Sequence, residues 1–69
     1  MPFRMIVSSA QSESQLHFPD DRERPVAERL VAEFRAGTTP MEGVFTTWHD
    51  GGVFRRRWAD IRDMRIEEA

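Results

Sequence analysis

Val44-Phe45-Thr46-Thr47-Trp48-His49-Asp50-Gly51-Gly52-Val53-Phe54-Arg55-Arg56-Arg57-Trp58 is the stretch whose reading decides the fold. β-Branched and aromatic residues flank an Asp-Gly pair, which is among the strongest short-range signals for a β-hairpin. Side chains on a strand alternate between two faces, so a slip of one residue in pairing exchanges the faces. A two-residue Asp50-Gly51 turn places Trp48 with Arg55 and Arg57 and sends Phe54 and Trp58 to the opposite side. A three-residue Asp50-Gly51-Gly52 loop, with a glycine in the left-handed region, gathers Val44, Trp48, Phe54 and Trp58 on one face, interrupted by Thr46 and Arg56. The other face then carries Phe45, Thr47, His49, Val53, Arg55 and Arg57. The second register clusters both Trp rings with Phe54, and burying such rings is worth several kcal/mol. It is the register expected here.

Upstream, Phe3-Arg4-Met5-Ile6-Val7 reads as a strand with Phe3, Met5 and Val7 on one face. After a polar, turn-like stretch, Gln15-Leu16-His17-Phe18 reads as a second strand, stopped by Pro19-Asp20-Asp21. Val26, Leu30 and Phe34 recur at helical spacing with Ala27 and Val31 beside them, one apolar stripe of an amphipathic helix. Pro25 suits its first turn, Asp20 or Asp21 suits an N-cap one turn earlier, and Gly37 suits its stop. Arg29 and Glu33 fall on its solvent side. Beyond Trp58, Ala59-Asp60-Ile61 reads as a corner, and Asp63 to Glu67 as a last strand with Met64 and Ile66 inward. Glu67-Glu68-Ala69 reads as a frayed, solvated tail. The fold class is therefore α+β: a two-layer ββαβββ arrangement, one helix on a mainly antiparallel sheet, with residues 1–69 as a single small domain. The position of the first two strands relative to the hairpin stays open.

Sixty-nine residues bury only about 60% of their unfolded surface, so stability is marginal for a lone chain. No Cys is present, which excludes disulfides and thiolate metal sites. All ten basic residues are Arg, an expected signature of a GC-rich bacterial or bacteriophage genome. The net charge of −2 gives no global footprint for nucleic acid. No secretory leader or membrane-length apolar run is legible, which makes the cytoplasm the expected location.

No catalytic set stands out. His49-Asp50 reads as turn chemistry, since adjacent strand-end residues point apart and no nucleophile completes a triad. His17 reads as structural or exposed. The acidic pairs lack metal-loop spacing, and Gly51-Gly52 matches no phosphate-binding pattern. Met5 and Met64 read as core, whereas Met41 beside Pro40 reads as an exposed contact. Arg56 is expected at the rim of the buried side, pairing with Glu42 or Asp60 or stacking on Trp58.

What remains is a surface: Phe45, Thr47, His49, Arg55 and Arg57 on the open face of the hairpin. Arg and aromatics are enriched at protein interfaces. The expected function is a non-enzymatic interaction or accessory module, working by self-association or on a larger protein partner, with no cofactor and no metal. The alternative is a regulator holding single-stranded nucleic acid through Phe45, Arg55 and Arg57. A very small enzyme is the third reading.

Overall fold

A computed structural model describes residues 1–68 of the chain. Its centre is β1 (Phe3–Ser9), flanked by β2 (Glu13–Phe18) on one side and β5 (Ile61–Glu68) on the other, both antiparallel. Alternation turns Phe3, Met5 and Val7 to one face, where Leu16, Phe18 and Met64 join them in full burial. Phe3 and Phe18 stack with their centroids 4.9 Å apart. The pairing of β1 with β5 shifts between Ser8 and Ser9, so that Ile61 pairs with Ser9. Such a bulge restores an inward orientation that strict alternation would deny Ile61, and Ile61 is buried with Met64. Glu67 and Glu68, expected in a frayed tail, belong to β5, while Ala69 lies outside the described residues.

α1 (Arg24–Arg35) covers the apolar face of this sheet. Ala27 and Val31 are buried, and Leu30 and Phe34 pack against the core. Val26, expected in the stripe, is 57% exposed, because the buried sector is centred one residue further along the helical wheel. The two possible starts of the helix are reconciled by a short 3-10 turn over Asp21–Glu23. The Asp20 carboxylate caps that turn, accepting from the Arg22 backbone N–H at 2.9 Å, and Pro25 still falls in the first turn of α1. At the other end Gly37 adopts φ +76°. Its N–H reaches the Phe34 carbonyl at 3.1 Å and that of Thr38 reaches Glu33 at 3.0 Å, a Schellman stop.

β3 (Val44–His49) and β4 (Gly52–Arg57) pair only with each other. The α+β class and the ββαβββ order hold, with the strands divided between a three-stranded sheet, order β2-β1-β5, and this hairpin. One backbone hydrogen bond joins the hairpin tip to β2, from the Asp50 N–H to the His17 carbonyl at 2.9 Å. At its base, a 3-10 turn over Trp58–Asp60 leads into β5, and the Trp58 N–H bonds the Gly43 carbonyl at 3.1 Å.

The register differs from the expected one. His49 pairs with Gly52, Trp48 with Val53, Thr47 with Phe54, and Phe45 with Arg56, which is the two-residue-turn alignment. Gly52 nevertheless takes φ +113°, so the left-handed glycine of the longer loop is present inside the shorter register. The physical reason lies in position along the strand. Phe45 sits at the hairpin base, 4.9 Å from Trp58 and 6.0 Å from Phe54 between ring centroids, and Trp58 in turn lies 6.1 Å from Phe34 on the helix. Trp48 sits at the tip, beyond this ring cluster. Ring area alone favoured burying Trp48, but the rings of Phe34 and Trp58 gather at the base.

Candidate interaction surface

The register turns Val44, Thr46 and Trp48 of β3 outward together with Val53, Arg55 and Arg57 of β4. Trp48 is 70% exposed, and Val44 and Val53 are about half exposed. Trp48 opposes Val53 directly, Thr46 opposes Arg55, and Val44 opposes Arg57. The arrangement is an apolar strip with two guanidinium groups toward the hairpin base. Arg57 is engaged, its Nε lying 3.4 Å from the Asp60 carboxylate. Arg55 is exposed and forms no ion pair among the described residues.

The five residues expected on one open face are divided. Arg55 and Arg57 are on it. Phe45, Thr47 and His49 are on the other side: Phe45 is 3% exposed within the core, and Thr47 and His49 are half-buried. Trp48 is the residue the sequence argument missed. Its signal was present in the two-residue turn, which groups it with Arg55 and Arg57. Arg56 lies on the core side at the rim, as expected, with its guanidinium carbon 5.1 Å from the Phe54 ring centre. Phe54, not Trp58, is its platform.

Beside Trp48 an open groove of about 310 Å³ runs between the hairpin tip and the segment after β2. Phe18, Pro19, Asp20, Glu23, Trp48, His49 and Asp50 line it. The His49 ring tilts toward Phe18, centroids 6.4 Å apart, and its Nδ1 accepts the Gly51 N–H at 3.0 Å. That bond occupies one ring nitrogen in the turn and requires Nδ1 unprotonated. Asp20 is neutralised by Arg22 at 2.7 Å, and this hydrogen bond holds its carboxyl below the ordinary range. Glu23 and Asp50 have no cationic partner among the described residues. The groove is thus aromatic and acidic. No family model matches the chain, and no curated protein or solved structure matches it either.

The outer face of the three-stranded sheet contrasts with the hairpin. Arg4 bonds Gln15 and Glu67, each at 3.2 Å, and Arg65 bonds Glu67 at 2.9 Å and approaches Glu13 to 3.6 Å. Arg65 holds the Glu67 carboxyl below its usual range, with Arg4 adding a smaller share. Ile6, centred among these residues, is almost fully buried although it points away from the helix. Long Arg stems cover apolar surface while their charged ends stay in water. This face neutralises and covers itself. Met41 is also exposed, as expected from its loop. No helix of the described residues is long and apolar enough to cross a membrane.

Proposed function

We propose that the chain is a non-catalytic interaction module that engages a protein partner through the outer face of the β3–β4 hairpin. The observation that carries this reading is Trp48, 70% exposed and opposite a half-exposed Val53. An exposed Trp on a strand, bordered by Arg, has the composition of an interface anchor. The outer face of the three-stranded sheet is no rival, since it is laced by its own ion pairs. His49 is committed to the turn through Nδ1, which supports the non-catalytic side of the reading.

A second reading has one observation in its favour. Trp48 shares its face with Arg55 and Arg57, a pairing of ring and cation that suits a stacked base and its phosphate. It replaces the version that used Phe45, whose ring is buried. Against it, Glu23 and Asp50, without cationic partners among the described residues, line the groove at Trp48 and repel phosphate.

The test is a photo-crosslinking side chain placed at position 48 and, as a control, at exposed Arg29 on α1. Irradiation in the native cell is expected to give a protease-sensitive adduct at 48 and none at 29. A nuclease-sensitive adduct selects the second reading. No adduct at 48, or equal adducts at both positions, overturns both.

A further inference from the structure

Resting on that reading, we infer that the partner surface is a second copy of this chain, packed tip to base about a two-fold axis so that Arg55 of each copy enters the acidic, aromatic groove of the other. Two features of the fold support the commitment to this occupant, and a third bears on its strength.

Charge is the first. The hairpin is asymmetric along its length: Arg55 and Arg57 stand toward the base, and Trp48, Asp50 and Glu23 cluster at the tip and its groove. A two-fold interface is self-complementary only if the same patch carries both halves of each contact. Tip-over-base packing satisfies this twice. It sets Arg55 against Glu23 and Asp50, which have no cation of their own among the described residues. It also brings a guanidinium to the Trp48 ring, where cation–π attraction favours Arg.

Geometry is the second. Antiparallel pairing of β4 with β4 of another copy, centred on the Arg run, would set Arg56 against Arg56 and Arg55 against Arg57, and like charges directly opposite are destabilising. The Arg run therefore disfavours self-pairing at the β4 edge and leaves its outward side chains free for contact through the flat face.

Area is the third. Six-residue strands in pairs offer a face of roughly 20 by 10 Å, or about 200 Å². A stable interface buries about 800 Å² on each partner. The face alone is too small, and the groove of about 310 Å³ beside it is what extends the contact. The association is accordingly weak and salt-sensitive, in the micromolar range or looser.

The experiment is sedimentation equilibrium on the purified chain, from micromolar to millimolar concentration, with Arg55→Glu, Glu23→Arg and Arg29→Glu. All three sites are exposed, and matching urea midpoints establish that each variant is folded. The wild-type chain and Arg29→Glu are expected to dimerise alike. Arg55→Glu and Glu23→Arg are each expected to weaken association at least tenfold. An equimolar mixture of those two is expected to regain it, because both contacts then pair opposite charges again. A wild-type monomer throughout overturns the inference. So do a dimer indifferent to the reversals, a mixture that fails to regain association, or equal weakening by Arg29→Glu. A monomer that still gives a protein adduct at position 48 removes self-pairing and leaves the proposed function standing.

Discussion

The Phe45 and Trp58 rings meet with centroids 4.9 Å apart at a mutual tilt of 40°. This contact ties the hairpin base to the turn that begins β5, and it decides which face of the hairpin is free. If Phe45 is core and Trp48 is surface, truncating them has opposite outcomes. Phe45→Ala is expected to cost about 3–5 kcal/mol, comparable with the whole stability of a domain this size, and so to leave the chain largely unfolded. Trp48→Ala is expected to move the urea midpoint by no more than about 0.5 kcal/mol equivalent. The reverse order contradicts the register.

The Arg run divides in the same way. Arg56 stands 5.1 Å over Phe54, whereas Arg55 stands over no ring among the described residues. Arg56→Ala is expected to cost about 0.5–1 kcal/mol of stability, and Arg55→Ala nothing measurable. Chemical denaturation of the two variants side by side reads the difference. Equal effects would show that the rim contact is absent in solution.

Gly51 is constrained by its neighbour. A Cβ there would stand 2.7 Å from His49 Cε1 and 3.2 Å from Nδ1, so the ring must swing away and lose the bond it accepts from the Gly51 N–H. Gly51→Ala is expected to destabilise by about 0.5–1.5 kcal/mol, the net worth of one hydrogen bond. In a His49→Ala background the same change is expected to cost close to nothing. A double-mutant cycle measures this, and an undiminished cost in that background would assign the strain to the backbone.

Acid is expected to weaken the fold through three carboxyl groups. Hydrogen bonds from Arg22 and Arg24 hold Asp20 and Asp21 below their ordinary 3.8, and Arg65 holds Glu67 below 4.5. Each binds protons less readily folded than unfolded. Its stabilising contribution is complete above the ordinary value and is lost as pH falls through the folded one. Stability is therefore expected to be insensitive to these groups near neutrality and to decline from about pH 4.5 downward. Urea midpoints across that interval measure it, and Asp21→Asn is expected to shallow the decline. A midpoint that stays level to about pH 3 counts against the ion pairs.

Local patterns carried most of the fold. The inward set of β1, the helical stripe and the Asp-Gly reversal each depend on residues close in sequence, and each is present except that Val26 leaves the stripe for solvent. The failures are long-range. Trp48 and Phe45 exchanged places because the rings of Phe34 and Trp58, distant in sequence from Phe45, gather at the hairpin base. Ile61 turned inward through a bulge with Ser9, which no alternation rule contains. Ile6 is almost fully buried between Gln15 of β2 and Arg65 of β5, so an apolar residue at an outward position needed no helix above it. The candidate surface failed by a single residue of register, which kept Arg55 and Arg57 and replaced Phe45 with Trp48.

The pairing of Phe3 with Glu68 sets an order of events during synthesis. β1 is made first and acquires β2 within a few residues, but its second neighbour is the last strand to appear. Until residues 61–68 emerge, the nascent chain holds the edge of β1 and the side chains of Phe3, Met5 and Val7 without the strand that completes their layer. Closing so long a loop is slow relative to forming the helix or the hairpin. A 12-residue helix and a lone two-stranded hairpin are each marginal in water, so both depend on the core that the β1–β5 ladder completes.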